Sequence, residues 1–158
     1  MSTQEYKHIL VGIDGSQQAN AAFRKAIEVA RRNQGTVYVA NVIDQQYYNF
    51  MGYTPMNQTL VDQETEEAKK LIEECKEYGK SVNYEKVEGI VAYGSAKEAM
   101  AHQLPEKYQI DLIMVGQSGL NAVERFMVGS VSSYIIREAL CDVLVISAPD
   151  EDEDQAAE

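Results

Sequence analysis

Residues Asp111–Ser147 read DLIMVGQSGLNAVERFMVGSVSSYIIREALCDVLVIS. Within this stretch the apolar run ending at Val115 is followed by a glycine-punctuated connection. A helical pattern from Ser130 to Leu140 comes next, then a second apolar run from Asp142 to Ser147. Short continuous apolar runs of this kind read as strands buried on both faces, the habit of parallel sheets. In the connection, Gly116 and Gly119 stand three residues apart, and nine residues separate Gly119 from Gly129-Ser130. Glycine lets a backbone turn tightly and approach a ligand closely. A glycine loop between a strand and a helix therefore points to bound phosphate. Each glycine has a plainer alternative, a strand-end turn for Gly116 and a helix start for Gly129.

The same alternation runs back to the N-terminus. His8 to Ile13 (HILVGI) reads as a buried strand ending in Asp14-Gly15-Ser16, and Gln17 to Asn33 as a helix with a small-residue face, stopped by Gly35. Thr36 to Ile43 (TVYVANVI) is rich in β-branched residues and reads as the second strand. Leu60 to Tyr78 reads as an amphipathic helix. Val82 to Ile90 reads as a third strand, near a sheet edge because it alternates. Ser95 with Glu98 forms a capping box opening a third helix that ends by Pro105 or Lys107, and the fourth strand is Ile110 to Val115. Five strands alternating with four helices predict a single doubly wound α/β domain, residues 1–149, with a parallel sheet and helices on both faces.

Composition sets limits on function. The chain has 158 residues, 45% of them apolar, and a net charge of −11. The last nine residues, DEDEDQAAE, hold six acids, which leaves 19 acids against 14 bases elsewhere. Residues 150–158 read as an acidic disordered tail. The remaining negative charge argues against nucleic-acid binding, which needs a basic surface. No apolar run approaches the roughly 20 residues of a membrane span, and no signal peptide is apparent, so a cytoplasmic protein is expected. Cys75 and Cys141 lack motif spacing and read as reduced thiols, and His8 and His102 have no metal-site cluster around them.

In doubly wound sheets the ligand crevice lies at the carboxyl ends of the strands, where strand order reverses. With the order 3-2-1-4-5, the reversal falls between the first and fourth strands. Their ends are Asp14 and Gly116, the two places where the sequence turns unusual. At the start of the fourth helix, the N–H groups of Ser130, Val131 and Ser132 can hold an anion, aided by the helix dipole. The Ser130 and Ser132 hydroxyls can donate to phosphate, and Ser130 can reach a magnesium ion. Asp14 suits both helix capping and ribose contact.

From residue 5 to 148 the chain resembles the universal stress protein family. The resemblance rests on HILVGIDGS, on VANVID, and most on G-x2-G-x9-G-S (Gly116, Gly119, Gly129, Ser130) followed by VSSYIIREALCDVLVI. The glycine pattern marks the family's ATP-binding branch. The resemblance implies the strand order 3-2-1-4-5 and a homodimer through the fifth strand, Val143 to Ile146. It implies ATP, with magnesium or manganese on the phosphates, as the ligand. It places Asp14 at the ribose and adenosine end, Val42 beside adenine, and Gly12 and Ile13 flanking the base. Val115, Gly116 and Gly119 match the ribose and phosphate loop; Gly129, Ser130, Val131 and Ser132 match the phosphate-holding turn. The chain departs from relatives at Gln117-Ser118, where Ser-His or Ser-Arg is usual. It also departs at Gly12, where some ATP binders carry proline.

A nucleotide-responsive regulator is therefore expected. A slow ATPase dependent on magnesium or manganese is the enzyme alternative, although no clear general base stands near the expected γ-phosphate. A module for AMP or a cyclic adenine nucleotide is the third reading. Other phosphate chemistries fit less well, since there is no P-loop and no lysine at the end of the fifth strand for a phospho-receiver. The Tyr/Met-rich connection from Tyr47 to Met56 is a lid, a dimer surface or a surface loop.

Overall fold

The computed structural model describes residues 5–44, 58–117 and 130–147. The expected connection at Tyr47–Met56, the loop residues Ser118, Gly119 and Gly129, and the acidic tail lie outside them.

The first strand, β1 (His8–Gly12), is the apolar run of the sequence. Ile9, Leu10 and Val11 are each fully buried. Ile9 and Val11 face one side of the sheet and Leu10 the other, the alternation that a pleated strand imposes. Helix α1 (Gln17–Asn33) follows, then β2 (Thr36–Ile43), α2 (Gln58–Ser81) and β3 (Val87–Tyr93). A composite helix α3 comes next, made of Ala96–Glu98, a π-helical turn Ala99–Gln103, and Leu104–Tyr108. The described chain ends with β4 (Leu112–Gly116), α4 (Ser130–Glu138) and β5 (Asp142–Ile146). The five strands form one sheet in the order β3-β2-β1-β4-β5, with every neighbouring pair parallel. This is the predicted order, and it puts β3 and β5 at the edges.

Each face of the sheet carries its own core. On one, Ile9, Val11, Val37, Val39, Leu112 and Met114 meet Ala22, Phe23, Ala26 and Ile27 of α1 and Ile72 and Cys75 of α2. On the other, Leu10, Ala40, Ile90, Ile113 and Val115 meet Ala99, Met100, Ala101 and Leu104 of α3 and Ile135 of α4. The small-residue stripe of α1 lets that helix lie close to the sheet. At its base, the Asp111 carboxylate accepts from the backbone N–H groups of Lys7 (2.9 Å) and His8 (3.2 Å), fixing the start of β1 against β4.

Several boundaries differ from the sequence reading. The third strand begins at Val87, not Val82, and runs on to Tyr93. Asn83 adopts the left-handed conformation (φ 61°) and the Tyr84 N–H reaches the Gly79 carbonyl, so residues 82–86 form the turn that ends α2. Gln34, with φ 56°, is the left-handed residue that stops α1. Gly35 is needed for another reason, since a Cβ there would lie 2.5 Å from the Tyr6 carbonyl oxygen. Helix α3 continues through Pro105 to Tyr108. Proline removes an i→i−4 hydrogen bond and crowds the preceding turn; here it follows a wider π-helical turn. The fourth helix stops at Glu138 and the fifth strand at Ile146, each short of the predicted end.

The packing makes Leu10 a sensitive probe. Leu10→Ala deletes a fully buried side chain from the central strand and should cost about 2–5 kcal/mol. Urea unfolding followed by circular dichroism measures this; a loss well under 1 kcal/mol would contradict a tightly packed α3/α4 face.

Candidate functional site

Six of the expected site residues lie on one rim of the sheet. Val11 pairs with Met114, so Gly12 and Ile13 at the end of β1 run alongside Val115 and Gly116 at the end of β4. Gly12 also pairs with Ala40 of β2, and Val42 lies two residues further along that strand. The strand order reverses between β1 and β4, where a doubly wound sheet opens its crevice. Asp14 is exposed immediately past β1.

The local hydrogen bonds show how this rim is built. The Ile13 N–H donates to the Ala40 carbonyl at 2.8 Å, and the Asn41 amide donates to the Ile13 carbonyl at 2.9 Å. The chain is thus held to β2 one residue beyond its strand. The Asp14 carboxylate then accepts from the Ser16 N–H at 2.9 Å, across Gly15, whose φ is +86°. This turn points the backbone into α1. Ser16, not Asp14, is the helix cap, its hydroxyl accepting from the Ala19 N–H at 3.1 Å.

Gly116 has a packing reason that the sequence did not reveal. A Cβ on it would stand 2.4 Å from the Gln18 carbonyl oxygen and 2.7 Å from the Gln18 carbonyl carbon. The first turn of α1 rests directly on the end of β4, and only glycine leaves it room. The backbone of Gly116 lies outside the positive-φ region. Gly12 is less constrained, since a Cβ there would meet the flexible end of Met100 at 3.3 Å. Met100 thus lies beneath the rim from the α3 side. Nothing in the sequence singled it out, because it reads as one more apolar position.

Of the predicted phosphate turn, Ser130, Val131 and Ser132 form the first turn of α4. Ser130 is exposed, Ser132 half-buried, and Val131 packs against the α3/α4 core. The first N–H groups of any α-helix lack intrahelical partners, and the dipole makes that end attractive to anions. Among the described residues no group of three or more His, Cys, Asp and Glu side chains could hold a metal ion. Both cysteines are free thiols; burial pushes Cys75 up to about 11 and raises Cys141 as well, so neither is a reactive thiolate.

A polar cluster joins α3 to α4 below this turn. The Ser95 hydroxyl caps α3 as expected, accepting from the Glu98 N–H. The Glu98 carboxylate, which a capping box would turn back toward Ser95, instead accepts a short hydrogen bond from the Tyr134 hydroxyl and lies 2.9 Å from His102 Nδ1. The His102 ring stands edge-on to Tyr134, with Glu138 Oε2 4.0 Å from Nε2. Hydrogen bonds from Tyr134 and then His102 hold the Glu98 carboxyl below its ordinary value. The Glu98 contact raises His102 and pushes the Tyr134 hydroxyl up to about 12. The i, i+4 spacing of Glu98 and His102 was a visible signal for half of this cluster; Tyr134, 36 residues from Glu98, was not.

Comparison with known proteins agrees with this architecture. The profile of the universal stress protein family matches residues 5–147. A Staphylococcus haemolyticus protein named for that family is 39% identical over 149 residues, covering 94% of this chain and 89% of its own. Among solved structures, UspA of Lactobacillus plantarum superposes with a TM-score of 0.73 at 27% identity, over 91% of this chain and 99% of its own. The protein MJ0577 superposes with a TM-score of 0.77 at 26% identity, over 94% of this chain and all of its own. Two structures at 20% identity share the fold. One is a universal stress protein in complex with cAMP, with a TM-score of 0.66 over 92% of this chain and all of its own. The other is the Archaeoglobus fulgidus protein in complex with dAMP, with a TM-score of 0.64 over 90% of this chain and 99% of its own.

The contact at Gly116 yields a prediction that separates packing from ligand binding. Gly116→Ala should lower stability by about 1–3 kcal/mol in protein stripped of any ligand, because α1 must shift. Gly12→Ala should cost clearly less. Paired thermal unfolding curves decide it; an unchanged midpoint for Gly116→Ala would refute the packing role.

Proposed function

The chain belongs to the universal stress protein family, and from that premise we propose that it is a cytoplasmic ATP-binding regulator. The observation that carries the reading is the meeting of the β1 and β4 ends at the sheet's reversal point. In this reading Gly12, Ile13 and Val42 flank adenine, and Asp14 meets the ribose. Val115, Gly116 and Gly119 line the ribose and phosphates. Gly129, Ser130, Val131 and Ser132 hold the phosphates, and magnesium or manganese arrives with them, within reach of the Ser130 hydroxyl. The cAMP and dAMP complexes of related folds support an adenine nucleotide as the ligand class. They also favour a second reading, a site for AMP or a cyclic nucleotide. The glycine spacing, with its separate phosphate turn, favours the polyphosphate. ATP occupancy would bias the loop after Gly116, and a partner would read that state.

The same proposal includes a homodimer through β5. Among the described residues this edge strand pairs with β4 alone, and Leu144 and Val145, on its two opposite faces, are 42% and 38% exposed. Nearby on α4 and in the turn after it, Ile136 and Leu140 are also exposed. An apolar open edge invites pairing with another strand, and a twofold axis lets one copy satisfy the other.

Two experiments test these points. Acid-denatured protein should release adenine nucleotide on chromatography, and calorimetry of the stripped protein should show ATP binding stronger than AMP. Gly129→Val should weaken that binding at least tenfold, about 1.4 kcal/mol; absence of any adenine nucleotide binding would sink the proposal. For the dimer, Leu144→Lys should shift the sedimentation mass of wild type to that of a monomer, while a monomeric wild type would refute the interface.

A further inference from the structure

The cluster between α3 and α4 lies one helical turn from the proposed phosphate turn. Tyr134 follows Ser130 by four residues, so it sits on the same side of α4, roughly 6 Å along the axis. Tyr134 donates to Glu98, and Glu98 pairs with His102, whose other nitrogen faces Glu138. The titratable groups facing the His102 ring are therefore Glu98 on its own helix and Tyr134 and Glu138 on α4, with Arg137 acting on Tyr134 from the same helix. With the imidazole neutral, two carboxylates lie along this seam against one nearby arginine. Protonation adds one positive charge between them and clamps α3 to α4.

We infer that His102 makes anion binding at the first turn of α4 proton-linked: a phosphate held there favours the imidazolium, and the imidazolium favours the phosphate. This rests on the nucleotide site proposed above and names a control on it. Two effects act in the same direction. The His102 ring packs against Tyr134, one helical turn from Ser130, a separation comparable to the screening length of about 8 Å at physiological salt, so part of its charge is felt there. The imidazolium also offsets Glu98, whose carboxylate would otherwise repel an anion approaching the same helix end. The sign is fixed by the geometry. His102 is raised in the folded protein by its contacts with Glu98 first and Glu138 after. Its clamp is thus complete below the ordinary imidazole range and is lost as pH rises through the raised value. Glu98 is lowered, so its share is lost only as pH falls below the ordinary carboxylate range. Between these limits the seam is intact, and near neutral pH His102 alone sets its charge.

The test is ATP binding to stripped full-length protein by calorimetry at pH 6 and pH 8, for wild type, His102→Gln and His8→Gln. The terminal phosphate of the nucleotide titrates in the same range, as phosphate monoesters do near pH 6, so the comparison with His102→Gln isolates the protein's share. Wild type and His8→Gln should gain roughly threefold to tenfold more affinity on acidification than His102→Gln. The gap between His102→Gln and the other two should narrow at pH 8, as the imidazole gives up its proton; a purely structural role would weaken His102→Gln equally at both pH values and overturn the linkage. Equal pH dependence in wild type and His102→Gln would also overturn it while leaving nucleotide binding standing. Failure of ATP to bind at any pH would remove the underlying site instead, a distinct result. In proton NMR, ATP should move the His102 titration upward.

Discussion

The burial of β1 on both faces is the constraint from which the rest of this structure follows. Its three central residues are wholly withdrawn from solvent. Buried backbone donors and acceptors must find partners, and β1 finds them on β2 and β4. Its side chains need cover above and below, supplied by α1 and α2 on one side and by α3 and α4 on the other. A central parallel strand satisfied in both directions sends the chain outward one way and then the other. The reversal beside β1 is the result, and the candidate crevice is a by-product of satisfying the core.

Around that crevice, residues expected to face a ligand also carry structural duties. Asp14 shapes the turn into α1 while standing exposed at the rim. Gly116 accommodates the Gln18 backbone at the same point where the glycine loop begins. A residue serving both purposes is hard to replace, because a change that spared one would damage the other. Glycine at 116 cannot be credited to nucleotide contact alone.

Much of this was legible in the chain, and the failures have physical causes. The strands β1, β2 and β4 announced themselves because burial on both faces leaves a continuous apolar run. The start of β3 was misread because Val82 is apolar and β-branched, whereas the segment is a local turn set by the left-handed Asn83 and the Tyr84-to-Gly79 backbone hydrogen bond, which the apolar pattern does not display. Ser16 displaced Asp14 as the cap because Gly15 carries the chain one residue further before the helix begins. At the site, the rim residues Gly12, Ile13, Asp14, Val42, Val115 and Gly116 could be grouped from topology alone. The partners Met100, Asn41 and Gln18 could not, since each reads as an ordinary helix or strand position. The Glu98 side chain does not fill its capping role because it is engaged by Tyr134 and His102 instead.

The π-helical turn at Ala99–Gln103 carries a consequence for comparing sequences in this fold. A π turn closes its hydrogen bonds over five residues where an α turn uses four, so it accommodates one residue more in the same helical span. Relatives with a regular helix here would be one residue shorter between the Ser95 cap and Pro105. A single-residue gap at that place in an alignment would then be a structural marker. It would separate chains that present a histidine to the neighbouring helix from chains in which the residue after the gap is turned elsewhere.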